Sequence, residues 1–354
     1  MKKILIIDDS ALMRRVMSDI INSDSEMCVT DTAENGIAAI RLLEKGKDYQ
    51  LILLDINMPQ MDGIGFLNYL NEKRIHIPVL LVSSIASRST EETIRALELG
   101  AYDFVKKPEC GFTTKEDFVE QILSKAKCAF KIYPEERKEV LNCREVPKIL
   151  PKTPKLHIKN METPCELAVI ASSTGGPKAL QSILPKFPSN LKCPVVIVQH
   201  MPAGFTASLA KRLNEMSSCP VKEAEDGMKV EAGSVYVAKG GYQLRIEKNA
   251  KGEMVFSEKK EPTCNGLRPC ADVLLKSLIE MPYQRILCTI LTGMGNDATH
   301  GLEQLKEKKE IYTIGQSERT CVVYGMPCAM EKAGLSDVML DLEQIAEEML
   351  KRIN

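Results

Sequence analysis

The stretch Lys2–Ser10, KKILIIDDS, carries four aliphatic residues, Ile4 to Ile7, and stops abruptly on two carboxylates, Asp8 and Asp9. The same kind of short apolar run recurs outward from it: CVTDTA (Cys28 to Ala33), LILL (Leu51 to Leu54), VLLV (Val79 to Val82) and YDFV (Tyr102 to Val105). Short apolar runs separated by helical patterns predict strands of a parallel sheet covered on both faces. Between the first two runs, Leu12, Met13, Val16, Met17, Ile20 and Ile21 recur at helical spacing. Thr114-x-x-Asp117 has the form of a capping box ahead of Phe118, Val119, Ile122 and Leu123. The unit is βα repeated five times, and it is expected over residues 1–130.

Over residues 131–164 the periodicity fades, and Pro134, Pro147, Pro151, Pro154 and Pro164 stand among lysines and glutamates. Repeated prolines break helices and favour extended chain, so this segment reads as a linker. From residue 165 to 354 the alternation resumes with LAVIA (Leu167 to Ala171), a glycine-rich turn, VVIVQ (Val195 to Gln199) and ILCTIL (Ile286 to Leu291). The intervening SVYVAKGGYQLRIEKNAKGEMVF predicts an antiparallel hairpin inserted into a doubly wound, mostly parallel α/β sheet. A chain of 354 residues exceeds the usual limit of a single core, in keeping with two domains.

Lys plus Arg total 47 against 48 for Asp plus Glu, so no basic field is available to hold a nucleic-acid backbone, and no nucleic-acid partner is expected. The first apolar run is too short for a signal peptide. No window reaches the roughly 18 apolar residues of a membrane span. The expected location is the cytoplasm, without membrane insertion. None of the 12 cysteines forms a C-x-x-C pair, and in a cytosolic chain they read as small buried hydrophobes rather than a zinc site.

Asp8 and Asp9 follow the first strand, Asp55 the third, Ser83 closes the fourth, and Lys107 lies just beyond the fifth. In open parallel sheets ligands gather at the carboxyl ends of the strands, so these side chains are expected in one crevice. Three carboxylates there suit a hard divalent cation such as Mg²⁺, which prefers oxygen ligands. Taken singly, each acid reads equally well as a solvated strand end or a helix cap.

Over roughly its first 125 residues the chain resembles the receiver domain of two-component response regulators, on IIDDSALMRR, LLDINMPQMDG, VSS and FVKKP. The resemblance implies a flavodoxin-like (βα)5 receiver with Asp55 as phospho-acceptor. It also implies Mg²⁺ held by Asp9, Asp55 and the backbone carbonyl of Asn57 with Asp8 assisting, Ser83 and Phe104 as switch residues, and Lys107 as phosphate partner.

In the second domain Ser173 lies in ASSTGGP, His200 in IVQHMPAGF and Asp297 in LTGMGNDATHG, each after an expected strand. The strand-end rule places them at one rim. A serine hydroxyl is a poor nucleophile until an imidazole accepts its proton, and a carboxylate fixes the imidazole's tautomer. Backbone N–H groups around Gly293 to Gly295 are candidates for an oxyanion hole, since glycine admits close approach. As an alternative, Ser173 and Thr174 read as a helix N-cap region, and Asn296 or Asp297 as a cap of the next helix. His76, His157 and His300 have no comparable context and read as structural or exposed.

The chain lacks a G-x-S-x-G elbow, and its Ser, His, Asp order is not that of α/β-hydrolases. From about Leu167 to Met330 it is similar to the catalytic domain of chemotaxis protein-glutamate methylesterases, on SSTGGP, QHMP, LTGMGND and TCVVYGMP. The resemblance implies Ser173 as nucleophile, His200 as base, Asp297 as orienter and the Met294 N–H in the oxyanion hole, with no cofactor in the esterase domain. Four positions depart from the family pattern: Ser172 for alanine, Ala298 for glycine, Gln243 for a common histidine and Cys270 for serine.

The implied function is phosphorylation-activated hydrolysis of glutamyl γ-methyl esters on chemoreceptors, with glutamine deamidation by related chemistry. Methylated chemoreceptors are the implied substrate and a chemotaxis histidine kinase the implied phosphodonor. Docking of the unphosphorylated receiver across the rim of Ser173 is the expected form of control. Two alternatives stay open at this level. SSTGGP is also suited to cradle phosphate at a helix N-terminus, although no G-x-x-x-x-G-K-[ST] pattern is present. The output domain also reads as a non-enzymatic partner-binding unit.

Overall fold

The computed structural model describes residues 1–84, 87–108, 115–132 and 164–354. The chain divides into two compact units between Ile149 and Leu150. Thr114 of the expected capping box and residues 133–163 of the expected linker lie outside the described residues.

The first unit runs β1 (Lys2–Ile7), α1 (Ala11–Asn22), β2 (Met27–Ala33), α2 (Gly36–Glu44), β3 (Leu51–Leu54), α3 (Gly63–Glu72), β4 (Val79–Ser83), α4 (Ser87–Glu98), β5 (Asp103–Lys106) and α5 (Lys115–Ile132). The strands lie in the order β2-β1-β3-β4-β5, all parallel. This is the expected flavodoxin-like sheet. Ile4 to Ile7 and Leu51 to Leu54 are fully buried, because helices on both faces leave a central strand no solvent side. Ser10, Asn35 and Asp62 start α1, α2 and α3 by accepting from the N–H of Met13, Ala38 and Gly65, which satisfies donors the first helical turn leaves open. The strand order reverses beside β1, so the crevice for a ligand opens over the carboxyl ends of β1 and β3.

The second unit begins with β6 (Leu167–Ser172), α6 (Gly176–Ile183), β7 (Val195–Gln199), α7 (Phe205–Met216), β8 (Val221–Glu223) and β9 (Val235–Val237). It continues through β10 (Gln243–Lys248), β11 (Met254–Lys259), α8 (Ala271–Ser277), β12 (Arg285–Ile290) and α9 (Thr299–Lys306). β13 (Glu310–Gln316), α10 (Met326–Lys332), β14 (Val338–Leu340) and α11 (Leu342–Ile353) close it. Its sheet has the order β14-β13-β12-β6-β7-β9-β8, and every pair is parallel.

The antiparallel hairpin forms as β10 and β11, with Gln243 opposite Lys259 and Lys248 opposite Met254. It makes a separate two-stranded sheet. Leu244, Ile246 and Phe256 from the hairpin share one core cluster with Leu274, Leu275 and Leu278 from α8 and its end. Burying Phe256 in that layer contributes roughly 2 kcal/mol, so the hairpin is held by side-chain packing while its edges stay apart from the main sheet. Among the described residues no helix is long and apolar enough to cross a membrane.

Candidate active site

β12, β6 and β7 are neighbours at the middle of the second sheet, and Asp297, Ser173 and His200 follow them respectively. Ser172 is paired with Gln199 in the β6–β7 register, so Ser173 and His200 are the next residues on strands about 4.8 Å apart. The His200 N–H donates to the Ser172 carbonyl at 3.0 Å, and the Ser173 N–H to the Thr292 carbonyl at 3.0 Å. Ser173 itself is half-buried. At Gly176, an added Cβ would meet Gln199 Oε1 at 2.0 Å and Ser172 Cβ at 2.8 Å. Only glycine therefore lets α6 start so close behind Ser173. The Gly176 N–H is spent on the Ser173 carbonyl at 2.8 Å, which leaves it unavailable to a phosphate.

His200 Nε2 lies 2.7 Å from Asp297 Oδ2, with the two side chains 7% and 1% exposed. Its other ring nitrogen, Nδ1, is buried and has no hydrogen-bond partner among the described residues. Asp297 does not cap the following helix through its own position, since Ala298 is the N-cap of α9 and no side chain caps it. Its carboxylate instead receives N–H groups from the start of α8, Ala271 at 2.6 Å and Asp272 at 2.9 Å, and the Cys270 thiol donates to Oδ1 at 3.1 Å. Burial alone pushes this carboxyl up, but the His200 bond and the backbone N–H groups outweigh it and hold Asp297 well below the usual carboxylate range. Burial, and then the charge of Asp297, push the Cys270 thiol up, so it stays a protonated donor. Asp272 is buried and its carboxyl is raised by that burial, while its Oδ1 accepts from the Gly301 N–H at 2.6 Å.

Several residues that sequence reasoning passed over hold this rim together. Gln199 is 2% exposed; its Oε1 accepts from Ser172 Oγ at 2.6 Å, and its Nε2 donates to the carbonyls of Ser173 and His200. Thr292 Oγ1 donates to the Thr174 carbonyl at 2.9 Å and accepts from the Val323 N–H at 2.9 Å. Gln316 Oε1 accepts from the Thr292 N–H at 2.9 Å. A polar residue closing a buried strand, as Gln199 and Gln316 do, was the available signal.

The four positions read from the sequence as departures from the family pattern have definite physical settings. Ser172 bonds Gln199. Gln243 accepts from the Cys270 N–H at 3.0 Å and donates to the Leu267 carbonyl at 2.9 Å, which fixes the segment that enters α8. Cys270 supplies a donor to Asp297. Ala298 adopts φ 76°, at a cost on the order of 1 kcal/mol that glycine avoids. The Met294 side chain is 48% exposed in the loop that follows β12. His76 and His300 are exposed, and His157 lies outside the described residues.

In the first unit, the donor atoms of Asp8, Asp9 and Asp55 lie within 4.8 Å of one another. Lys107 Nζ stands 2.9 Å from Asp8 Oδ2 and 2.8 Å from Asp55 Oδ2. Burial raises the Asp55 carboxyl above its ordinary value, and Lys107 offsets only part of that. For Lys107, burial acts to lower its affinity for the proton, yet the two carboxylates prevail and raise it. Ser83 Oγ accepts from Thr93 Oγ1 of α4 at 2.8 Å. Phe104 is buried, and Asn57 is exposed beside Asp55.

Residues 168–349 match the family described as CheB methylesterase, and residues 4–116 the response regulator receiver domain. The chain belongs to the CheB methylesterase family. A protein-glutamate methylesterase/protein-glutamine glutaminase 1 of Syntrophomonas wolfei is 40% identical, over 99% of this chain and 99% of that protein. The Bacillus subtilis protein-glutamate methylesterase/protein-glutamine glutaminase is 38% identical, over 98% and 97% of the two chains. Among solved structures, the Thermotoga maritima CheB methylesterase catalytic domain is 40% identical with a TM-score of 0.50, covering 53% of this chain and 98% of that one. Two such domains on one chain pair a receiver with a methylesterase unit, as the CheB family does.

Proposed function

We propose that this chain hydrolyses γ-methyl esters of glutamyl side chains on chemoreceptors, and deamidates glutamines at the same site, under control of phosphorylation at Asp55. The observation that carries the reading is the buried His200–Asp297 pair at 2.7 Å, one strand over from the half-buried Ser173. Ser173 Oγ attacks the ester carbonyl carbon while His200 Nδ1 accepts the hydroxyl proton. The oxyanion that forms takes a hydrogen bond from the Met294 N–H. His200 then returns the proton to the departing methoxide oxygen, and methanol leaves. Water, deprotonated by the same nitrogen, releases the glutamate. The base contributes about 10²- to 10⁴-fold and an oxyanion donor on the order of 10²- to 10³-fold. Amide release runs through the same steps with a poorer leaving group.

In the receiver, the clustered oxygens of Asp8, Asp9 and Asp55 fit a hard divalent cation, with the Asn57 carbonyl completing the protein ligands for Mg²⁺. Bound there, the cation supplies positive charge to the oxygens of the incoming phosphoryl group. Asp55 accepts that group from a chemotaxis histidine kinase, and Lys107 turns from the carboxylates to the phosphate. Drawing Ser83 toward the phosphate breaks its bond to Thr93 of α4, and Phe104 follows on β5, so the charge change reaches the receiver's surface.

The test is methanol release from membranes bearing methylated chemoreceptors. Ser173→Ala and His200→Ala are each expected to lower it by at least about 10³-fold. Retention of most of the activity in either variant would reject the reading.

A further inference from the structure

The TCVVYGMP segment, Thr320 to Pro327, supplies none of the three residues proposed to carry the chemistry, yet its glycine sits against the loop that follows β12. The Gly325 N–H donates to the Gly293 carbonyl at 3.1 Å, and the Met326 N–H donates to the same oxygen at 2.9 Å. The Gly293 N–H in turn donates to the Val323 carbonyl at 3.0 Å. The 293–294 peptide is therefore gripped by two donors, the N-cap residue and the first residue of α10. A trans peptide is planar, with its C=O and N–H pointing in opposite directions. Fixing the Gly293 carbonyl toward α10 thus fixes the Met294 N–H on the other side of the loop, where among the described residues it has no partner. Gly293 itself packs on the nucleophile strand, since an added Cβ would meet Ser173 Cβ at 2.8 Å and the Ser173 nitrogen at 3.1 Å.

From this we infer that Gly325 and the Met326 amide are positioning groups: they clamp the 293–294 peptide so that its N–H is set for the oxyanion before substrate arrives. The inference rests on the proposed role of the Met294 N–H. Electrostatic stabilisation of a developing charge is strongest when its donors need no reorganisation, and a doubly held carbonyl provides that rigidity. Gly325 is required for a steric reason. Its φ of −103° is open to any residue, but a Cβ there would meet the Gly293 oxygen at 2.6 Å, the Gly295 nitrogen at 3.1 Å and the Met294 Cα at 3.2 Å. Each of those atoms belongs to the gripped loop, so an alanine would displace that loop and leave its own backbone unstrained.

The experiment measures kcat and KM of the full chain for methanol release from methylated receptor membranes in three variants. Gly325→Ala pushes the peptide. Replacing the Met326 backbone amide by an ester removes one of its two donors without adding an atom to the contact. Replacing the Met294 backbone amide by an ester removes the oxyanion donor itself. The clamp requires that Gly325→Ala lower kcat on the order of 10²-fold, with KM near that of the unaltered chain. It requires the Met326 ester to lower kcat in the same sense. Gly325→Ala combined with the Met294 ester should lose no more than the Met294 ester alone, because both act through one hydrogen bond; losses that multiply would mark a general structural defect and overturn the clamp. If the Met294 ester loses kcat while both clamp variants keep it, the clamp is wrong and the oxyanion reading stands. If the Met294 ester keeps full kcat, the oxyanion reading fails and the clamp fails with it. Should Gly325→Ala not fold, the Met326 ester decides alone, and an unchanged kcat there rejects the clamp.

Discussion

His200 meets Asp297 through Nε2, at 2.7 Å, and keeps Nδ1 buried, without a partner among the described residues. In chymotrypsin-type triads the carboxylate binds Nδ1 and the serine proton passes to Nε2. The ring here is turned end for end, so the base in the proposed mechanism is Nδ1. Histidine methylated at Nδ1, placed at position 200 by an expanded genetic code, should lower kcat about 10²- to 10⁴-fold, the usual worth of a general base. Wild-type kcat in that protein would show that Nδ1 takes no proton.

Cys270 donates to Asp297 Oδ1 at 3.1 Å. A hydrogen bond to a charged acceptor is worth about 1.5 kcal/mol, which corresponds to roughly tenfold in rate if it acts on the oriented triad. Cys270→Ala should therefore cost about tenfold in kcat with little change in KM, and Cys270→Ser should restore most of it. Equal kcat in the alanine and serine variants would remove the thiol from the account.

Gln243 joins the Cys270 N–H to the Leu267 carbonyl and is itself 1% exposed. Gln243→Ala strands both backbone groups, at about 2 kcal/mol, so the melting temperature of the esterase unit should fall by roughly 4–8 °C. A neutral histidine also offers one donor and one acceptor, so Gln243→His should recover stability. Calorimetry of the full chain reads both, and an alanine variant as stable as wild type would contradict the bridge.

The fold was legible wherever an apolar run ended on a polar residue. Asp8, Asp55, Ser173 and His200 each announce a strand end, and the strand-end rule then assembles two sites from residues far apart in sequence. The hairpin was legible as β10 and β11, but alternation has the same period in a separate sheet as in the main one. Its place was decided by Leu244, Ile246 and Phe256 packing on α8, a tertiary choice. The supports of the site were least legible. Gln199, Gln243, Thr292 and Gly325 act through backbone groups of other segments, and no local pattern records which carbonyl or amide they will meet. Cys270 stood out as a departure, yet only the arrival of Asp297 over α8 gave it a task.

Phosphorylation of Asp55 is proposed to switch a serine esterase on the same chain. Methanol release from methylated receptor membranes, followed before and after addition of a small-molecule phosphodonor with Mg²⁺, tests it most directly. Wild type should accelerate by about 5- to 150-fold, the range of a coupling of 1–3 kcal/mol, and Asp55→Ala should not accelerate at all. An equal acceleration in Asp55→Ala would contradict the account.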